Sequence, residues 1–97
     1  MTKSERDARF ELLCRIGCIV CRRVHRVFSH PSIHHLTGIK YRSTGKKAND
    51  RHTIPLCHCH HQGALGIHVL GMRPWERRFG TQEELLAEVN ELIGKLH

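Results

Sequence analysis

Apolar and polar positions fall into short patches along the chain, and each patch marks an element. Residues 4–16 put Phe10, Leu13 and Cys14 on one helical face, which Leu12 and Ile16 widen. Arg6, Arg9 and Arg15 lie largely elsewhere. Ser4 is the expected N-cap, Glu5 and Asp7 sit near the positive end, and Gly17 stops the helix. Cys14 reads as a small buried residue, a common place for a free cysteine. Residues 31–36 read as a strand entering a loop, and residues 51–57 as its returning partner. Between them, residues 37–50 are polar and show no apolar period. A loop this long in a small domain is often functional. A helix can begin at His58, made short or irregular by Gly63 and Gly66. Residues 71–80 read as a short helix with Pro74 in its first turn, and Trp75 and Phe79, four apart, as core partners. Thr81 and Glu84 have the spacing of a capping box for a last helix running to about Lys95. Its apolar stripe is Leu85, Val89, Leu92 and Leu96, with Leu86 and Ile93 beside it. Glu83, Glu84, Glu88 and Glu91 form its outer, acidic face.

No repeat or low-complexity segment interrupts this order. The expectation is one domain over residues 1–97: a helix at 4–16, a core over about 18–70 and C-terminal helices over 74–96. Ninety-seven residues support only a modest core. With three Phe, one Trp and one Tyr, a metal staple would help it. The formal charge of +7 points to a polyanion, nucleic acid before others. No apolar run is long enough to cross a bilayer, and the first residues lack a signal-peptide core. A cytosolic setting with no membrane partner is therefore expected. Thiols stay reduced there, so an odd count of five cysteines favours metal over disulfides.

The chemistry concentrates in one stretch. Every residue from Cys57 to His61 can ligate a transition metal, and thiolate with imidazole points first to zinc. Cys18-x-x-Cys21 lets two thiolates reach one ion, and Cys57-x-x-His60 supplies the other half of a closed structural zinc site. Cys59 is the alternative to Cys57 or His60. A redox role for the Cys-x-x-Cys lacks its usual βαβ surroundings. Arg22 and Arg23, beside this knuckle, and Lys40, Arg42, Lys46 and Lys47, in the long loop, are the candidate phosphate contacts. His25 and His30 read as surface or turn residues.

A strand ending in His-His, a polar loop carrying Asn or Asp, a return strand and a helix bearing His together resemble the HNH, or ββα-metal, nuclease fold. The chain is most similar to the Ref family of phage recombination-enhancement nucleases. Besides Cys18-x-x-Cys21, the residues that carry this are Ile33-His34-His35-Leu36, Asn49-Asp50, and Ile54-Pro55-Leu56-Cys57 with His60-His61-Gln62-Gly63. They continue with His68, Trp75-Glu76 and Phe79-Gly80-Thr81. The resemblance covers about residues 18–92.

What it implies is a small α+β domain of the ββα-metal class, with flanking helices and a structural zinc site. The activity it implies is metal-dependent DNA cleavage leaving 5′-phosphate and 3′-hydroxyl ends. His34, His61 and His68 would hold the catalytic ion, which could be zinc, magnesium or manganese. His35 would be the general base and Asp50 its orienting partner, with Asn49 the adjacent alternative. His60 and His61 then divide between the two sites, and His52 and His58 rank below as substitutes. A neutral imidazole with a pKa of ~6.5 suits proton abstraction at physiological pH. Neighbouring strand residues face opposite ways, so His34 and His35 would not share one task. Two departures stand: the middle position is usually Asn, and His61 and His68 are not spaced i, i+4. The implied setting is phage or prophage recombination in a bacterial cytoplasm, beside a recombinase filament. The competing readings are a catalytically silent zinc-finger-like nucleic-acid-binding module and a protein–protein adaptor.

Overall fold

The computed structural model describes residues 1–38, 41 and 49–96. Helix α1, Lys3–Ile16, opens with a reciprocal capping box. Glu5 N–H donates to Thr2 Oγ1 at 3.1 Å and Thr2 N–H donates to Glu5 Oε1 at 3.0 Å. Thr2, rather than Ser4, is therefore the cap, since both reciprocal bonds of the box are made between Thr2 and Glu5. Gly17 ends α1 at φ 78°, its N–H donating to Leu13 O. A side chain there would meet a second obstacle, since its Cβ would lie 2.6 Å from the Phe28 ring.

The buried face of α1 is Leu13 and Ile16. Cys14, expected inside, is exposed, because it lies about 100° around the helix from Leu13. Arg9 is more engaged than its polarity suggests. It donates to Thr53 Oγ1 and O and to Asn90 Oδ1, tying α1 to the hairpin and to the last helix.

A π-helical turn, Cys21–His25, follows the first cysteine pair and ends at Arg26, which adopts a left-handed conformation at φ 55°. Strands β1, Ser32–His35, and β2, Thr53–Leu56, then form an antiparallel pair with Ser32 opposite Leu56 and His35 opposite Thr53. Both strands are shorter than their apolar patterns. All of β2 is buried, while β1 alternates, with His34 inside and His35 partly out. Helices α2, His58–His61, and α3, Ile67–Leu70, are single turns.

Helix α4, Met72–Phe79, carries Pro74 in its first turn and buries Trp75 completely. Helix α5, Gln82–Leu96, buries Leu85 and Val89, whereas Leu96 has left the core and stands 46% exposed. Its capping box is half formed. Glu84 N–H donates to Thr81 Oγ1, but the Glu84 carboxylate, which a full box would set on the Thr81 N–H, lies beside Arg23; Gln82 N–H donates to Glu76 at 2.7 Å. Glu88, placed on the solvent face by pattern, is only partly exposed. The result is a compact α+β fold whose buried residues form one cluster linking α1, the cysteine knuckle, the hairpin, Trp75 and α5. No described helix is long and apolar enough to cross a membrane.

Candidate metal centres

The hairpin and α2 bring two groups of ligands together. In the first, Cys18, Cys21, Cys57 and His60 place their ligand atoms within 4.8 Å of one another. His60 Nδ1 lies 3.7, 3.6 and 3.2 Å from the sulfurs of Cys18, Cys21 and Cys57, and Cys21 Sγ lies 3.8 Å from Cys57 Sγ. A tetrahedral zinc site has edges of about 3.8 Å between sulfurs and about 3.6 Å between sulfur and nitrogen, given its usual bond lengths. The donor set therefore fits zinc both in chemistry and in spacing.

All four residues are buried, Cys18 completely. Burial pushes the Cys18 thiol up to about 12, so a cation is what makes its thiolate form favourable. Two features hold the group from outside. Trp75 Nε1–H donates to the His60 carbonyl at 3.1 Å, and the Phe79 ring stands edge-on to the His60 ring at 5.0 Å. Cys59, the alternative ligand, is exposed and belongs to neither group.

The second group is His34, His61 and His68, again with ligand nitrogens within 4.8 Å. His34 and His61 are buried and His68 is exposed. His68 stands seven positions after His61, about 10 Å away along a continuous helix and too far to share an ion. The chain instead folds back. Gly66 packs so closely that a Cβ there would lie 2.6 Å from His61 C and O, and α3 then presents His68.

Hydrogen bonds set the ring orientations. His34 Nε2–H donates to Gln82 Oε1 at 2.9 Å, leaving Nδ1 as the ligand atom. The amide of Gln82 is fixed in turn, since its oxygen accepts from Thr37 N–H and its nitrogen donates to Thr37 O. Ser32 Oγ donates to Leu56 O and accepts from His61 Nδ1 at 2.7 Å, leaving His61 Nε2 free. Partners of this kind fix the tautomer of a ligating imidazole. Burial pushes His34 down to about 4 and lowers His61, so both rings are neutral donors near neutral pH.

His35 leaves β1 on the face opposite His34. Its Nε2–H donates to Asp50 Oδ1 at 2.8 Å, and its ring stands edge-on to Phe10. Asn49 is engaged elsewhere, its side-chain oxygen accepting from Arg51 N–H. Of the remaining histidines, His52 lies beside Tyr41 and His58 is exposed, so neither joins a ligand group. Arg22 and Arg23 lie on the π-helical turn. Lys40, Arg42, Lys46 and Lys47 fall outside the described residues.

Residues 10–93 match the model of a family described as a protein of unknown function, DUF968. The chain is a DUF968 protein. The match spans every ligand of both groups. No curated protein and no solved structure matches this DUF968 chain.

Gln82 and Ser32 are the site residues that sequence reasoning missed. Neither is a ligand type in a ligand pattern. The available signal was the register of Gln82, three positions before Leu85 in line with the apolar stripe, and the structure leaves it only 2% exposed.

Proposed function

We propose that this DUF968 chain is a metal-dependent DNA endonuclease of the HNH type, stapled by a structural zinc ion. The observation that carries the proposal is the second group: three imidazoles, two of them buried and oriented from behind, with a solvent-facing third. Structural zinc sites are closed by four protein ligands, whereas catalytic sites leave a position open. A divalent ion held by His34, His61 and His68 would stabilise charge on a phosphate and on its leaving oxygen.

The chain's own residues supply the rest. Asp50 holds His35 by Nε2–H, so Nδ1 is the atom that accepts the proton of the attacking water. His34 and His61 keep fixed rings through Gln82 and Ser32. The net positive charge favours a polyanionic substrate. Cleavage to 5′-phosphate and 3′-hydroxyl ends, in phage recombination beside a recombinase filament, is the setting in which the HNH resemblance places this reading.

One observation favours a second reading, a catalytically silent nucleic-acid-binding module. His35 stands on the strand face away from the three-histidine group, beside Phe10. Plasmid nicking separates the two, with EDTA and with added magnesium, manganese or zinc, and with and without a recombinase-coated strand. Metal-dependent nicking by the wild type, reduced about 10²–10⁴-fold in His35→Ala with metal content intact, supports the nuclease and its base. DNA binding without cleavage under every condition supports the silent module.

A further inference from the structure

A second feature lies outside both ligand groups. The π-helical turn and α5 enclose an open cleft of about 520 Å³, within the ~300–1,000 Å³ range of ligand pockets. Arg22, Arg23 and Arg26 line it, with Val27, Phe28 and Glu88. Among the described residues, the side chains of Arg22 and Arg26 have no hydrogen bond or ion pair, and Arg23 has only Glu84 at 3.8 Å.

Phe28 is 55% exposed yet held in place. One edge rests on Gly17, and the His30 ring stands at 84° to it with centroids 5.3 Å apart. Glu88 contributes a carboxylate oxygen, Oε2, sealed from solvent without a hydrogen-bond partner. Arg26 holds the left-handed backbone that ends the turn, a conformation uncommon outside glycine and enriched where function demands it.

Each part narrows the ligand. Unpaired guanidinium groups fit phosphate. A fixed, exposed ring fits the face of an unstacked base, the arrangement that single-strand binders use. The unpartnered carboxylate would repel a bare phosphate, but accepts from N–H groups. Guanine presents two adjacent N–H donors on its pairing edge, whereas thymine presents one between two carbonyls.

We propose that this cleft takes one unstacked nucleotide of a single strand: its base on Phe28, its phosphate between the arginines, and its N–H edge on the Glu88 carboxylate, which turns out of its sealed position to meet it, with guanine preferred over thymine. The inference deepens the nucleic-acid reading above and rests on it.

The test is binding of metal-loaded full-length protein to fluorescent single-stranded oligothymidine, with and without one central dG. Wild type, Phe28→Ala, Arg26→Ala and Glu88→Gln are compared, each checked for wild-type zinc content. The expected result is at least a fivefold loss for Phe28→Ala and a weaker salt dependence for Arg26→Ala. Glu88→Gln should lose the dG preference while still binding. Equal binding by wild type and Phe28→Ala, or a dG preference that survives Glu88→Gln, overturns the cleft. Nicking by the same proteins keeps the two readings apart. If Phe28→Ala nicks duplex DNA but has lost the single strand, the cleft is supported. If the wild type neither binds nor nicks DNA, the nucleic-acid reading fails, and this inference with it.

Discussion

Adjacent residues of one helical turn, His60 and His61, serve two very different surroundings. His60 joins three sulfurs in a buried pocket. His61 joins two imidazoles, one of them at the surface. The charge differs as much as the access. Three thiolates would outweigh a divalent cation held among them, so the first group would leave nothing to attract an anion. Imidazole ligands add no charge, so a cation held by the three histidines would keep its full charge, available to a phosphate. On the proposed reading, one group would hold the chain together and the other would meet something from outside, within a single turn of backbone.

The sharpest way to break this contrast is to remove one ligand from each side. Structural zinc contributes ~10–16 kcal/mol of apparent binding energy in small domains, comparable to or larger than typical folding stability. Cys57→Ser should therefore abolish cooperative thermal unfolding, whereas His68→Ala should melt like the wild type and lose one equivalent of metal. Circular dichroism and metal analysis read both, and a normally folding Cys57→Ser protein would erase the distinction.

A smaller effect belongs to Gln82. Gln82→Ala strands His34 Nε2–H and Thr37 N–H in the interior, at about 1–3 kcal/mol for each buried group left unpaired. Affinity at the three-histidine group should fall ~10–100-fold while the cysteine group keeps its zinc. Isothermal titration of the second equivalent measures it, and equal weakening at both groups would count against separate supports.

Cys59→Ser gives the smallest change. Its side chain is exposed and outside both groups, so stability should hold within ~0.5 kcal/mol and zinc content should not move. A loss of zinc would return Cys59 to the ligand set in place of Cys57 or His60.

How legible each side was follows from distance along the chain. Cys18 with Cys21, and Cys57 with His60, are local pairs three residues apart, so their spacing spoke directly for a shared ion. His68 was different. It reaches His61 only because Gly66 lets the backbone turn tightly against it, and no period in the residues encodes that return. Naming it required a family resemblance. Gln82 and Ser32 lie 48 and 29 residues from the rings they orient, so their roles exist only once the hairpin and α5 have packed. The same limit explains Cys14 and Leu96. Each fits an apolar helical pattern, yet at these positions the packing leaves them outside. Thr2 was legible in principle, since its capping box is local, but Ser4 offered a competing start.

The chain has a single tryptophan, and its indole N–H is tied to the backbone carbonyl of His60. That tie makes Trp75 an optical gauge of the cysteine group. Its emission in the intact protein should be that of a shielded indole, and stripping the closed site should shift it to longer wavelength as water reaches the ring. Filling or emptying the three-histidine group should leave the spectrum nearly still. Stopped-flow fluorescence could then follow metal entering the cysteine group alone, with no dye or label added.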